Sequence, residues 1–167
     1  MSTHPSEKGS NSAPRASLVI SACSPVVPNE SCDVVNVMKR ICDESPPGKL
    51  LQGIREFNRG DWFECHETVE DLWIGSEGEV RDFYQGIIQV AVALHHWRNG
   101  NFGGAVSLLS GGAGHLRRVA ERCQWVDVAR LIADSERMKT ALEGFGKERM
   151  EYLDPALIPL IKTVSEA

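Results

Sequence analysis

The chain has 167 residues, 42% apolar and 25% charged, proportions ordinary for one globular domain plus a tail. Its net charge of −5 and pI near 5.5 argue against nucleic acid or an anionic membrane as partner, because no basic excess exists to release counterions. No uninterrupted apolar run reaches the ~20 residues that a bilayer crossing needs.

Residues 1–48 hold six of the eight prolines, many serines and no sustained period. Such a stretch cannot bury enough apolar surface to offset its conformational entropy, so it reads as a flexible N-terminal extension. The alternative is a targeting peptide: the first 29 residues contain one acid, Glu7, and Ile20-Ser21-Ala22-Cys23 looks like a plastid processing site. The expected location is therefore cytoplasmic, or plastid if residues 1–22 are a transit peptide. Val34, Val35, Met38, Ile41 and Cys42 have helical spacing and predict a short helix over residues 31–43. The five cysteines (23, 32, 42, 65 and 123) are odd in number and form no CxxC pair. They do not read as a disulfide framework or zinc knuckle, which favours a reducing compartment.

From Lys49 to about residue 153 the chain reads as one helical domain with no strand-period segment, followed by a tail or short helix over 154–167. Leu50, Leu51, Ile54 and Phe57 define a first helix that stops at Gly60. Asp61 is a ready N-cap for a second, reaching Ile74. Ser76-Glu77-Gly78-Glu79 fits a capping box before a third, which runs to about Asn99. Asn101 caps a fourth, expected to reach Arg122, and Asp127 opens a fifth that continues to about Leu142.

Phe57-Asn58-Arg59-Gly60-Asp61-Trp62 repeats in pattern as Trp97-Arg98-Asn99-Gly100-Asn101-Phe102. The second hairpin, with Gly100, Phe102, Ala105 and Leu109, resembles a tetratricopeptide unit; shared capping chemistry alone explains the repeat equally well. The fourth helix carries Gly104 and Gly111, spaced to line a face where a neighbouring helix comes close, with a break near Gly111-Gly112 as the alternative.

The second helix holds the sharpest signal, DWFECHETVEDLW. Trp62, Cys65, Val69, Leu72 and Trp73 cover one side, and His66 and Glu70 fall inside that apolar sector, with Glu67 at its border. Burying either unpaired would be costly. They are a structural network, a small-molecule or metal site, or a partner-facing surface. HExxE resembles the zincin HExxH but lacks its second His. On the third helix Asp82, Gln85, Gln89 and His96 form a polar seam, with His95 on the opposite side.

Residues about 50–142 resemble the domain of unknown function 309 family, a small all-α family. Its hallmark F-N-x-G-x-[WYF]-F-E-x-H-E-x-x-E-x-x-W stands here as Phe57 to Glu67, then Glu70 and Trp73; a second stands as Gly86-Ile87-Ile88-Gln89, His96, Gly100-Asn101 and Gly104-Ala105. The resemblance implies that His96, rather than His95, belongs with His66, Glu67, Glu70 and Gln89. It implies no activity.

The expected architecture is all-α: a compact bundle of four to five helices built from two stacked hairpins, with Val69, Leu72, Trp73, Ile87, Val90, Leu94, Trp97, Leu108 and Leu116 in the core. The expected function is a non-catalytic module binding a protein or small molecule through a polar cluster of His66, Glu67, Glu70, Gln89 and His96. The alternative is a metal-dependent or acid–base hydrolase using HExxE; a divalent ion would take His66, Glu70 and His96. Homodimerisation is compatible with such a bundle, though no sequence feature specifies it.

Overall fold

A computed structural model describes residues 42–164. The transit peptide expected over 1–22 lies outside the described residues, as does the short helix expected over 31–43, apart from helical Cys42 and Asp43. Five helices follow: α1 (Gly48–Arg59), α2 (Trp62–Ile74), α3 (Gly78–Arg98), α4 (Phe102–Leu116) and α5 (Val128–Phe145). Each packs on the next, so the first hairpin meets the second through α2 against α3. Phe57, Phe83, Ile87, Leu94, Leu109 and Leu116 are fully buried between them. Leu72, Trp73, Trp97 and Leu108 sit at the edge of this core, packed against it and partly exposed.

The two repeated segments build the same local structure. Gly60 (φ 87°) and Gly100 (φ 72°) end their helices in the left-handed region, where a side chain would be strained. Asn101 then caps α4 by accepting from the Gly104 amide at 3.0 Å. Asp61 precedes α2 as expected but makes no capping bond; its carboxylate accepts from Arg59 Nε at 3.0 Å instead. The Trp62 and Trp97 rings, one from each repeat, meet at 6.2 Å.

The capping box ahead of α3 does not form. Ser76 Oγ donates back to the Leu72 carbonyl at 2.7 Å, and Glu79 Oε1 accepts from the distant Ala120 amide at 2.6 Å. That bond belongs to a second correction, because α4 ends at Leu116 rather than Arg122. Beyond it the chain turns into a minimal antiparallel hairpin, β1 (Arg122–Cys123) with β2 (Val126–Asp127). Its two-residue turn holds Gln124 and Trp125 at φ 46° and 66°, a geometry that usually selects Asn and Gly. No local signal announced it.

The cysteine reading is also corrected: Cys42 and Cys123 form a disulfide across a sequence separation of 81. Cys42 is buried and its carbonyl accepts from the Gln124 amide at 2.7 Å, so the packed structure includes Cys42 as well as the domain drawn from Lys49. The C-terminal segment joins the same corner, where Thr163 bridges to Val126. After α5 it passes through two 3-10 turns, Lys147–Tyr152 and Pro155–Leu157. Asn58 on α1 clamps it, accepting from the Ile161 amide at 2.8 Å and donating to the Ile161 carbonyl at 2.9 Å. No helix among the described residues is long and apolar enough to cross a membrane.

Candidate functional site

Gly104 and Gly111 let α4 lie close on α3, as their spacing predicted. A Cβ on Gly104 would stand 2.9 Å from His96 Cγ, and one on Gly111 would overlap Gln89 Oε1. The helix runs unbroken through Gly111-Gly112, so the glycines serve close approach and not a kink. They leave the polar seam of α3 room beside α4.

The residues expected to form one cluster divide between two neighbours. His66 pairs with Glu70 within α2, Nε2 to Oε2, at 3.8 Å, which is beyond hydrogen-bond length. Its Nδ1 is buried without a partner among the described residues. His96 instead faces α4 and accepts at Nδ1 from Asn101 Nδ2 at 3.0 Å. Gln89 packs against Gly111, and Glu67 is exposed. Among the described residues no three His, Cys, Asp or Glu side chains are grouped to hold a metal ion. The expected ligand set of His66, Glu70 and His96 is therefore not assembled, because two members lie along α2 while the third is turned to α4. His95, on the far side of α3, accepts from Asn99 at 2.8 Å and packs against Phe63.

The side chains that do converge lie about two to four turns nearer the start of α3 than His96. Asp82 reaches α4 and accepts from His115 Nδ1 at 2.5 Å and from Arg118 Nη1 at 3.1 Å. A carboxylate only accepts, so the His115 proton sits on Nδ1. Arg81 lies over the Trp73 ring at 3.9 Å and donates to the carbonyls of Trp73 and Ser76, fastening the end of α2. Trp73, Arg81, Asp82, Gln85, Gln89 and His115 line an open cavity of about 340 Å³ between α2, α3 and α4. Gln89 alone belongs to the expected cluster. Asp82 and Gln85 were visible as part of the seam, whereas His115, 33 residues from Asp82, had no sequence signal tying it there.

Residues 50–108 match the family described as Domain of unknown function (DUF309). This segment is a DUF309 domain. It spans α1 to the middle of α4 and so contributes every wall of the cavity except His115. An uncharacterised protein of Aquifex aeolicus (strain VF5) is 35% identical over 69 residues, 40% of this chain and 21% of its own length. The uncharacterised protein YpuF of Bacillus subtilis (strain 168) is 43% identical over 51 residues, 30% of this chain and 29% of its own length. The chain thus spans less than a third of the length of either relative. No solved structure matches. Within the DUF309 segment the hallmark residues have visible local work. Asn58 clamps the C-terminal segment, Gly60 and Gly100 terminate helices, and Gly104 admits His96.

Cys65, next to His66, is buried, and burial pushes its thiol up to about 12. A thiol so held is not a nucleophile at neutral pH.

Proposed function

We propose that the protein is a non-catalytic binding module that presents the groove along α3 to a small polar ligand or partner. The observation that carries this reading is the cavity of about 340 Å³ whose wall unites side chains from three helices. Its volume falls in the range of roughly 300–1,000 Å³ typical of ligand sites, and it mixes an aromatic surface with hydrogen-bonding groups. The hydrolase reading built on HExxE has less support. His66 and Glu70 stand at 3.8 Å, His96 is engaged with Asn101, and the neighbouring Cys65 thiol stays protonated.

Screening small polar fragments against the isotope-labelled full chain tests the reading. The expected result is saturable shifts of the Trp73 indole and of the Gln85 and Gln89 side-chain amides. A screen in which no fragment moves these signals would overturn it. Turnover of any compound that disappears in His66→Ala, with folding intact, would restore the enzyme reading.

A further inference from the structure

We propose that the α2–α3–α4 cavity takes an uncharged, planar carboxamide, an inference that rests on the ligand-binding reading above and names its ligand class. Charge is the first constraint on the ligand. The ionic groups on the wall are already engaged with the protein: Asp82 holds His115 and Arg118, and Arg81 is spent on two carbonyls and the Trp73 ring. An ionised ligand would lose hydration on entry and meet no unengaged countercharge, which makes its burial costly.

Uncharged hydrogen-bonding groups remain on the wall. Gln85 and Gln89 stand one turn apart on α3 and line the cavity, and neither carboxamide takes part in a hydrogen bond among the described residues. Each offers one acceptor and one NH2 donor. Asp82 accepts from His115 Nδ1, and Nε2 makes no hydrogen bond among the described residues. These two donor–acceptor amides are the complement of a carboxamide, whose C=O and NH2 pair with a glutamine side chain in the same way that two amides pair with each other. A carboxylate only accepts and brings no donor to the glutamine carbonyls.

The shape of the cavity points the same way. The guanidinium of Arg81 stacked on the indole of Trp73 makes one wall flat, and flat cation–aromatic surfaces favour planar ligands. The cavity of about 340 Å³ holds a single substituted ring with space for its first waters.

Nicotinamide and nicotinate test the proposal, because they share size and ring and differ in carboxamide against carboxylate. Titrated into the labelled full chain, nicotinamide should shift the side-chain amides of Gln85 and Gln89 saturably, and nicotinate should not. Gln85→Ala and Gln89→Ala should each weaken nicotinamide by about tenfold, the loss of one hydrogen bond. Gln85→Glu, which keeps the shape and adds charge, should do the same. Equal or tighter binding of nicotinate would overturn the neutral-ligand inference, as would nicotinamide shifts that survive all three variants. If nicotinamide fails while other polar fragments shift the Trp73 indole, the ligand class is wrong and the binding site stands. If no fragment shifts it, both fall.

Discussion

The helical stack from α1 to α4 and the corner formed by β1, β2, Cys42 and the C-terminal segment are held together in different ways. In the stack, neighbours in sequence are neighbours in space, and apolar side chains such as Phe83 and Ile87 are wholly buried between adjacent helices. In the corner, four distant pieces of chain meet: Cys42 on Cys123, Tyr84 donating to Gln124 at 2.8 Å, and Thr163 bridged to Val126. Two residues other than glycine there occupy the left-handed region, each costing about 1–2 kcal/mol. The stack is stable through repetition of one packing rule. The corner tolerates backbone strain because long-range links over-determine it.

The largest effect should come from the stack. Phe83→Ala removes a ring of zero exposure and should cost about 3–5 kcal/mol by urea denaturation. Next, breaking the disulfide with dithiothreitol or Cys123→Ser should cost about 2–4 kcal/mol. Here the loss should be local: amide exchange should quicken at Val126 and Val164 while α3 stays protected. Uniform acceleration along the chain would show that the corner and the stack are a single cooperative unit.

Gly112→Ala tests the close approach within the stack. Its Cβ would stand 2.8 Å from Val90 Cγ2 and 3.0 Å from the backbone oxygen of Gly86. Backbone cannot swing aside, so a loss of about 1–3 kcal/mol is expected.

A pH series probes the interior of the first hairpin. The Cys65 thiol titrates at about 12 in the folded chain against 9.0 for an ordinary thiol, raised first by burial and then by the Glu56 charge. The folded state holds this proton more tightly than the unfolded state does. The stabilisation is therefore complete below pH 9 and is lost as pH rises toward 12, by about 1.4 kcal/mol per pH unit. Tyr84, raised by burial, acts in the same direction, so Cys65→Ala should remove only part of the slope. An unchanged slope would place Cys65 outside the folded interior.

The smallest effect on stability is expected at Gly111→Ala. Its Cβ meets only the end of the Gln89 side chain, which can move, and the gain in helix propensity is about 1 kcal/mol. Stability should change by less than about 1 kcal/mol, while fragment shifts at Gln89 should be altered. The pair Gly111 and Gly112 thus separates the binding groove from the core beneath it.

Much of the stack was readable because its signals are local. Gly60, Gly100 and Asn101 punctuate the chain through backbone conformation and capping, which depend on residues within a few positions. Core residues were read less finely. Leu109, and not Leu108, is fully buried, because an expected apolar sector is wider than the strip that a neighbouring helix covers. At the site, the seam Asp82–Gln85–Gln89–His96 followed from the periodicity of one helix. Which of its members would act together did not.

The amino-acid sequence by itself determined the number of main helices, most of their boundaries, and the family that residues 50–108 match. Each of these rests on periodicity, on capping or on a long motif. Only the tertiary structure decided that Cys42 bonds Cys123, that Gln124 and Trp125 turn the chain, and that Asp82 takes His115 while His66 keeps Glu70. Those pairings depend on how rigid helices are set against one another. A contact between residues 33 or 81 positions apart leaves no mark in the local pattern of either partner.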